Sequence, residues 1–287
     1  MALSVARNAG RQAPSKITVP RILMWTALIL TTLISLFPMY WMFVTAFTPT
    51  QDTIKTPPDL FPHADLSNFE RLFSSARDYW SWFANSVIIT LGITFFHLIF
   101  DTLSGYAFAK KKFPGRNILF WIIISTLMIP PQVTLVPLYI VVQNFNLRDS
   151  LWAVILPGWA NVFGIFLMRQ YIQTLPTELE EAGRIDGCSE LGIFWRIILP
   201  LSRPALAALA IFTFVRFWND FLWPSMVLIK SPSYTLPVGV ASLQTEFSTD
   251  YGLIFAGSAV AALPMIAFFL AFQKYFLEGV RAGAVKG

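Results

Sequence analysis

The stretch TELEEAGRIDGCSELGIFWRIILPLSRP, Thr177–Pro204, sets five carboxylates (Glu178, Glu180, Glu181, Asp186 and Glu190) inside a chain that is otherwise strongly apolar. Its spacing is that of a folded segment rather than a linker. Thr177 followed by Glu180 reads as a capping box, in which each side chain satisfies a backbone donor of the first turn. Leu179, Ala182 and Gly183 then share one face at helical spacing, and Gly187 can end the helix in the left-handed conformation. A second short helix is expected to begin at Ser189 and to carry Phe194, Ile197 and Ile198 before Pro200. The pattern predicts a helix–turn–helix with an acidic rim and a small-residue face on which another backbone can lie closely. The alternative on periodicity alone is a loop that packs only against its own bundle, because charged short helices are common at membrane surfaces.

Composition explains why this segment stands out. Of 287 residues, 55% are hydrophobic and only 13% charged, against roughly a quarter charged in soluble domains. The main solvent of such a chain is lipid. The net charge of +5 comes from short basic clusters between apolar runs, which is where membrane topology places them, so nucleic acid is not an expected partner. A single cysteine, Cys188, excludes an intrachain disulfide, and with His63 and His97 the only histidines, a zinc or iron–sulfur site is not expected.

A membrane-crossing helix takes roughly 20 mostly apolar residues. Six segments qualify: about 22–47, 82–108, 117–141, 152–171, 204–229 and 253–276. The first follows a polar, basic N-tail (1–21), is longer than a secretory apolar core and lacks a small-x-small cleavage site, so it reads as a retained span. The N-tail, the 109–116 turn, the 172–203 loop with flanking Arg169, and the C-tail with flanking Lys274 hold 15 Lys and Arg, whereas the alternate loops hold five. Positive-inside counting therefore predicts both termini and the 172–203 loop in the cytoplasm. The organisation read from the chain is an N-terminal tail (1–21), a transmembrane domain (22–276) and a C-terminal tail (277–287).

At the 172–203 loop the sequence resembles a known family. EEAGRIDGCSELGIFWRIILPL is similar to the EAA loop of the permease subunits of ATP-binding-cassette importers, with Glu181, Ala182, Gly183, Asp186, Gly187, Leu199 and Pro200 in the motif positions. FWNDFLWP (Phe217–Pro224) and the ending LEGVRAGAVKG (Leu277–Gly287) narrow the likeness to the carbohydrate branch, the MalG-like permeases. Gly183 and Cys188 stand where alanine is usual; both are small, and Gly183 weakens the helix by about 1 kcal/mol relative to alanine.

The resemblance implies a type I importer permease fold, all-α with six spans, in the bacterial or archaeal inner membrane and in contact with lipid throughout. It implies that the loop is the coupling helix, seated through Glu181, Ala182, Gly183, Asp186 and Gly187 in a dimer of cytoplasmic ATPase subunits, and that the tail residues Gly283, Val285 and Lys286 lie along the same interface. The chain lacks a G-x-x-x-x-G-K-[ST] loop, so ATP and Mg²⁺ are expected in the partner ATPase and no cofactor in this chain, which is not itself an enzyme. A second permease, expected to be a different chain, and an extracytoplasmic sugar-binding protein complete the implied assembly. For the last contact the loop 230–252 supplies Gln244, Thr245 and Glu246, with a plain solvated loop as the alternative.

Within the spans, ionisable residues draw functional suspicion. Arg216 and Asp220 stand four apart and can neutralise one another on one helix face. His97 and Asp101 stand four apart in the inner half of the second span, where Asp101 is placed to reach cytoplasmic water. For sugar recognition, Asn85, Asn161, Trp218, Asn219 and Asp220 are the candidate pathway residues, with packing as the competing role for each. On the outer side, Ser67 and Glu70 form a second capping-box pattern, opening a short helix that carries Phe69, Leu72 and Phe73 flat on the membrane surface. Pro130 and Pro131 can act as hinges or as static kinks. Two rivals stay in view: an ion-coupled carrier, which needs intramembrane carboxylates beyond Asp101 and Asp220, and a membrane enzyme, for which no nucleophile–base or metal constellation stands at usable spacing.

Overall fold

The computed structural model describes residues 19–244 and 249–284, and every regular element among them is helical. In chain order these are α1 (Val19–Ala46), α2 (Ser67–Ser75), α3 (Tyr79–Lys110), α4 (Arg116–Ser125), α5 (Pro131–Asn144), α6 (Trp152–Ile155) and α7 (Val162–Gln173). There follow α8 (Glu178–Ile185), α9 (Glu190–Ile193), α10 (Leu199–Leu201), α11 (Arg203–Trp218), α12 (Leu222–Val227), α13 (Leu236–Ser242) and α14 (Tyr251–Ala284). A π-turn, Phe194–Ile198, joins α9 to α10.

The outer surface of the bundle is apolar. Leu23, Trp25, Ile29 and Ile34 on α1 are all more than half exposed, an arrangement that water would not tolerate and hydrocarbon does. Four stretches are long and apolar enough to cross a membrane: Arg21–Ala46, Tyr79–Lys110, Trp152–Gln173 and Tyr251–Gln273. Two bent pairs bring the number to six if each is one span: Arg116–Met128 with Pro131–Asn144, at 101°, and Glu190–Leu201 with Arg203–Trp218, at 78°. The expected single helix over 117–141 is thus broken, because Pro130 and Pro131 supply no N–H and the residue before each is pushed out of the helical region. The expected span 204–229 is likewise divided, α11 stopping at Trp218 and the chain turning before α12. Pro38, Pro137 and Pro264 are carried inside their helices.

α3 is the axis of the bundle, with α7 parallel to it and α11 antiparallel. The parallel approach rests on glycine. A Cβ on Gly105 would stand 2.7 Å from Met168 Cβ and 2.8 Å from the Arg169 nitrogen, and one on Gly164 would stand 2.0 Å from Asp101 Oδ2. The buried core runs along α3 in three clusters: Tyr79 and Trp82 with Leu236 and Ala256, then Ile89 and Ile93 with Val154 and Val227, then Tyr106 with Met168, Ile193 and Phe194. The last cluster ties the 172–203 loop to the bundle. α2 divides its apolar side: Leu72 is fully buried against α14, whereas Phe73 stays 41% exposed. Its cap is not the expected Ser67–Glu70 box: Asp65 Oδ1 accepts the Ser67 N–H at 2.7 Å, which places the capping carboxylate two residues earlier.

Candidate functional site

The 172–203 loop folds as two helices around a tight turn. Asp186 is the C-cap of α8, and Gly187 follows at φ +79°. The Cys188 N–H reaches the Gly183 carbonyl at 2.9 Å and the Gly187 N–H reaches the Arg184 carbonyl at 3.0 Å, the paired bonds of a Schellman ending. Ser189 then caps α9, its hydroxyl accepting the Gly192 N–H at 3.1 Å. The capping box expected at the start of α8 does not form. Thr177 makes no side-chain cap, its own backbone being already helical at φ −71°, ψ −26°, whereas an N-cap is normally extended; the Glu180 carboxylate, for its part, is taken by other partners. Glu180 is 1% exposed, and its Oε2 accepts from the Tyr106 hydroxyl at 3.2 Å, Lys111 at 3.2 Å and Arg184 at 3.4 Å.

Glu190 closes this network from the second helix, pairing with Arg184 at 2.8 Å and with Lys111. The Arg184 guanidinium, and then the Lys111 ammonium, hold the Glu190 carboxyl down from its ordinary 4.5 to about 2. A carboxylate depressed in the folded state contributes above its unfolded value and loses that contribution as pH falls through the folded one. Glu190 therefore supports the loop fully above pH 4.5 and ceases to do so towards pH 2.

The expected small-residue face is divided by this arrangement. Gly183 points inward, where a Cβ would meet Ile197 Cδ1 at 2.8 Å and Ile193 Cγ1 at 3.2 Å. Glu181, Ala182, Asp186 and Gly187 remain exposed. Beside them the loop exposes three large apolar side chains: Ile185 at 85%, Leu191 at 64% and Leu179 at 38%. Ile185 and Leu191 were not singled out from the sequence, although Ile185 follows Glu181 by four and so lies on its face.

The candidate pathway residues separate into two groups. Trp218 and Asn219 line one cavity of about 420 Å³ with Leu236, Ser258 and Met265, and Gln244, expected instead at the binding-protein contact, lines it too. Asn219 also lines a second, of about 430 Å³, that continues along α11 and α14 past Val215 and Phe269 to Gln273. No charged side chain lines either cavity among the described residues. Trp218 is buried, its ring stacked on Phe214 and its Nε1 donating to the Ala261 carbonyl at 3.2 Å. Asn219 donates to the Val215 carbonyl at 2.8 Å. Asn85 and Asn161 lie elsewhere. The Asn85 amide donates to the Pro232 and Tyr234 carbonyls, both at 2.9 Å, and Asn161 caps α7 by accepting the Phe163 N–H at 2.8 Å. Thr245, Glu246, Val285 and Lys286 fall outside the described residues, and Gly283 lies in the last turn of α14.

The two intramembrane ionisable pairs differ from expectation. Arg216 and Asp220 form no ion pair: α11 ends at Trp218, so Asp220 sits in the turn that follows the helix. Asp101 does not reach water. It is fully buried, with Oδ1 accepting the Asn161 N–H at 3.0 Å and Oδ2 without a hydrogen-bond partner. His97 Nε2 lies 2.5 Å from the Gly158 carbonyl and Nδ1 3.2 Å from the Thr213 hydroxyl. Those partners fit a neutral ring that donates from Nε2 and accepts at Nδ1.

A bundle clad in apolar side chains, carrying one folded, charged, surface-exposed loop at one end, is a polytopic membrane protein equipped to meet a soluble partner. Residues 101–281 match the family model described as "Binding-protein-dependent transport system inner membrane component", and the chain belongs to that family. It is 39% identical over 257 residues to the arabinooligosaccharides transport system permease protein AraQ of Halalkalibacterium halodurans, covering 88% of this chain and 92% of that protein. It is 34% identical to the sn-glycerol-3-phosphate transport system permease protein UgpE of Yersinia enterocolitica, covering 88% and 93%. Among solved structures, a bacterial ABC transporter involved in the import of the acidic polysaccharide alginate has a chain that matches with a TM-score of 0.83 at 23% identity, over 92% of this chain and 99% of that one. At that identity the likeness establishes the fold.

Proposed function

We propose that this chain is the transmembrane permease subunit of an ATP-driven, binding-protein-dependent sugar importer, crossing the membrane six times with its 172–203 loop in the cytoplasm. The observation that carries the reading is the exposed face of that loop. Ile185, at 85% exposed, stands with Leu191 among Glu181, Ala182 and Asp186 on a segment held rigid by its own ion network. An apolar anchor ringed by charge is the form of a protein-docking site, and a cytoplasmic ATPase dimer is the partner that fits. ATP and Mg²⁺ are bound there, and the loop transmits closure of the dimer to the spans through α7 and α11, which flank it. Gly283 and the residues that follow lie along the same interface, and the second permease is a different chain.

The groove beside Asn219 supports a neutral sugar as cargo. Carboxamides at Asn219 and Gln244 can exchange hydrogen bonds with hydroxyl groups, and among the described residues no cation lines the groove to hold a phosphate or a uronate. Contact with the binding protein is assigned to Gln244, Thr245 and Glu246 of the 230–252 loop.

The test begins with gentle tagged purification of the chain from its native membrane, identifying what accompanies it. Two copies of an ATPase, a second permease and a binding protein are expected; recovery alone, with transport independent of ATP, sinks the reading. Glu181→Lys and Gly187→Pro are expected to insert normally, yet to lower sugar uptake by roughly tenfold or more, the effect of losing an interface hot spot. Normal uptake in both variants would remove the coupling role from this loop.

A further inference from the structure

We propose that the turn between α3 and α4 binds the phosphate of an anionic phospholipid headgroup. The turn reverses at Gly115, φ +77°, and borders an open surface depression of about 450 Å³ lined by Lys112, Phe113, Gly115, Arg116, Asn117 and Ile118. Basic residues at a membrane boundary serve orientation, and that alone would not make a site. Here the four cations of the turn divide by use. Lys110 donates to the Leu175 carbonyl at 2.5 Å, and Lys111 is paired with Glu180 and Glu190. Lys112 and Arg116 have no ion pair among the described residues; Arg116 donates only to the Lys111 carbonyl at 3.0 Å and to Asn117 Oδ1 at 3.4 Å.

A third cation approaches from α7. The Arg169 guanidinium lies 3.9 Å from the centre of the Phe120 ring, one turn along α4 from Arg116, and its Nε is buried without a hydrogen-bond partner. Arg116 and Arg169 are near enough for their charges to repel. Like charges gathered without a carboxylate leave a local excess that an anion relieves, and guanidinium groups hold phosphate oxygens in paired hydrogen bonds. The Glu180 and Glu190 carboxylates close by are already occupied by Lys111 and Arg184.

The surface beyond the depression identifies the source of the phosphate. α4 continues directly into Ile118, Trp121 and Ile122, exposed at 69%, 67% and 57%. A headgroup over Lys112 and Arg116 therefore has a path for its acyl chains along α4, which a free phosphate does not need. Basic pockets between spans at the membrane face bind acidic lipid in this way.

The full chain, purified in detergent, is titrated with palmitoyl-oleoyl phosphatidylglycerol and separately with the phosphatidylcholine of the same chains, and bound lipid is counted by native mass spectrometry. The wild type is expected to retain phosphatidylglycerol preferentially. Lys112→Ala with Arg116→Ala is expected to bind it about thirty-fold more weakly, from two cations near the surface, while Lys230→Ala, far along the chain in the 230–252 loop, changes nothing. Equal retention of both lipids by the wild type overturns the proposal, as does a double variant that keeps its phosphatidylglycerol. A third arm adds millimolar inorganic phosphate: no displacement supports a lipid site, and full displacement overturns it in favour of a soluble anion.

Discussion

Glu180→Leu is expected to destabilise the 172–203 loop by about 3 kcal/mol, because removing one member of a buried ion cluster strands its partners. The carboxylate is the buried centre of the network, whereas Lys111 and Arg184 are partly exposed and keep Glu190. That places the cost at the lower end of the range for breaking a buried pair. The loss should appear as a lower thermal midpoint of the purified chain and as early proteolytic cleavage near Thr177 and Cys188. Glu181→Leu, one residue on, touches an exposed carboxylate with no ion partner among the described residues, and is expected to leave the midpoint unchanged while lowering ATP-driven uptake. The two variants thus separate a carboxylate that builds the loop from one that presents it. Equal midpoints for Glu180→Leu and the wild type would show that Lys111 and Arg184 are held by Glu190 alone.

That contrast marks how far the sequence could be read. Helical spacing located the loop, its turn at Gly187 and its second helix at Ser189, because these depend on local backbone chemistry. It could not tell which of two adjacent glutamates faces inward, since that is decided by Tyr106 and Lys111, some 70 residues away in the chain. The Glu180 half of the capping box failed for the same reason: Lys111 and Tyr106, distant in the chain, take its carboxylate together with Arg184 one turn away. Apolar runs likewise marked the four stretches long enough to cross a membrane and the two bent pairs, but the runs record neither the 101° break that Pro130 and Pro131 impose nor the early end of α11. Trp218 and Asn219 were picked out from the sequence and do line one cavity, while the diversion of Asn85 and Asn161 to backbone partners was not legible. The 230–235 backbone that Asn85 holds is brought to it only by the fold.

Asp101→Leu is expected to carry a penalty of the same order, for a different reason. The fourth span is interrupted between α6 and α7, where the chain leaves helical geometry around Trp159–Asn161. An interruption at membrane depth exposes backbone groups that must find partners within the protein. α3 supplies them: His97 takes the Gly158 carbonyl and Asp101 the Asn161 N–H, across 61 and 60 positions of sequence. Leucine at 101 leaves the Asn161 donor unmatched and buried, at about 1–3 kcal/mol, and also presses on Gly164, whose missing Cβ makes room for the Asp101 carboxylate. Asp101→Asn keeps an oxygen at the same place and is expected to retain most of the stability and uptake. If asparagine fails as badly as leucine, the negative charge itself is required, and the pair acts as an ion contact with His97 at 3.5 Å rather than as a cap. If both variants behave as the wild type, the break is held by α7 and α11 without help from α3. Because α7 runs from this break, through its 12 residues, to the 172–203 loop, a cap that fixes its start also fixes the helix on which that loop is carried.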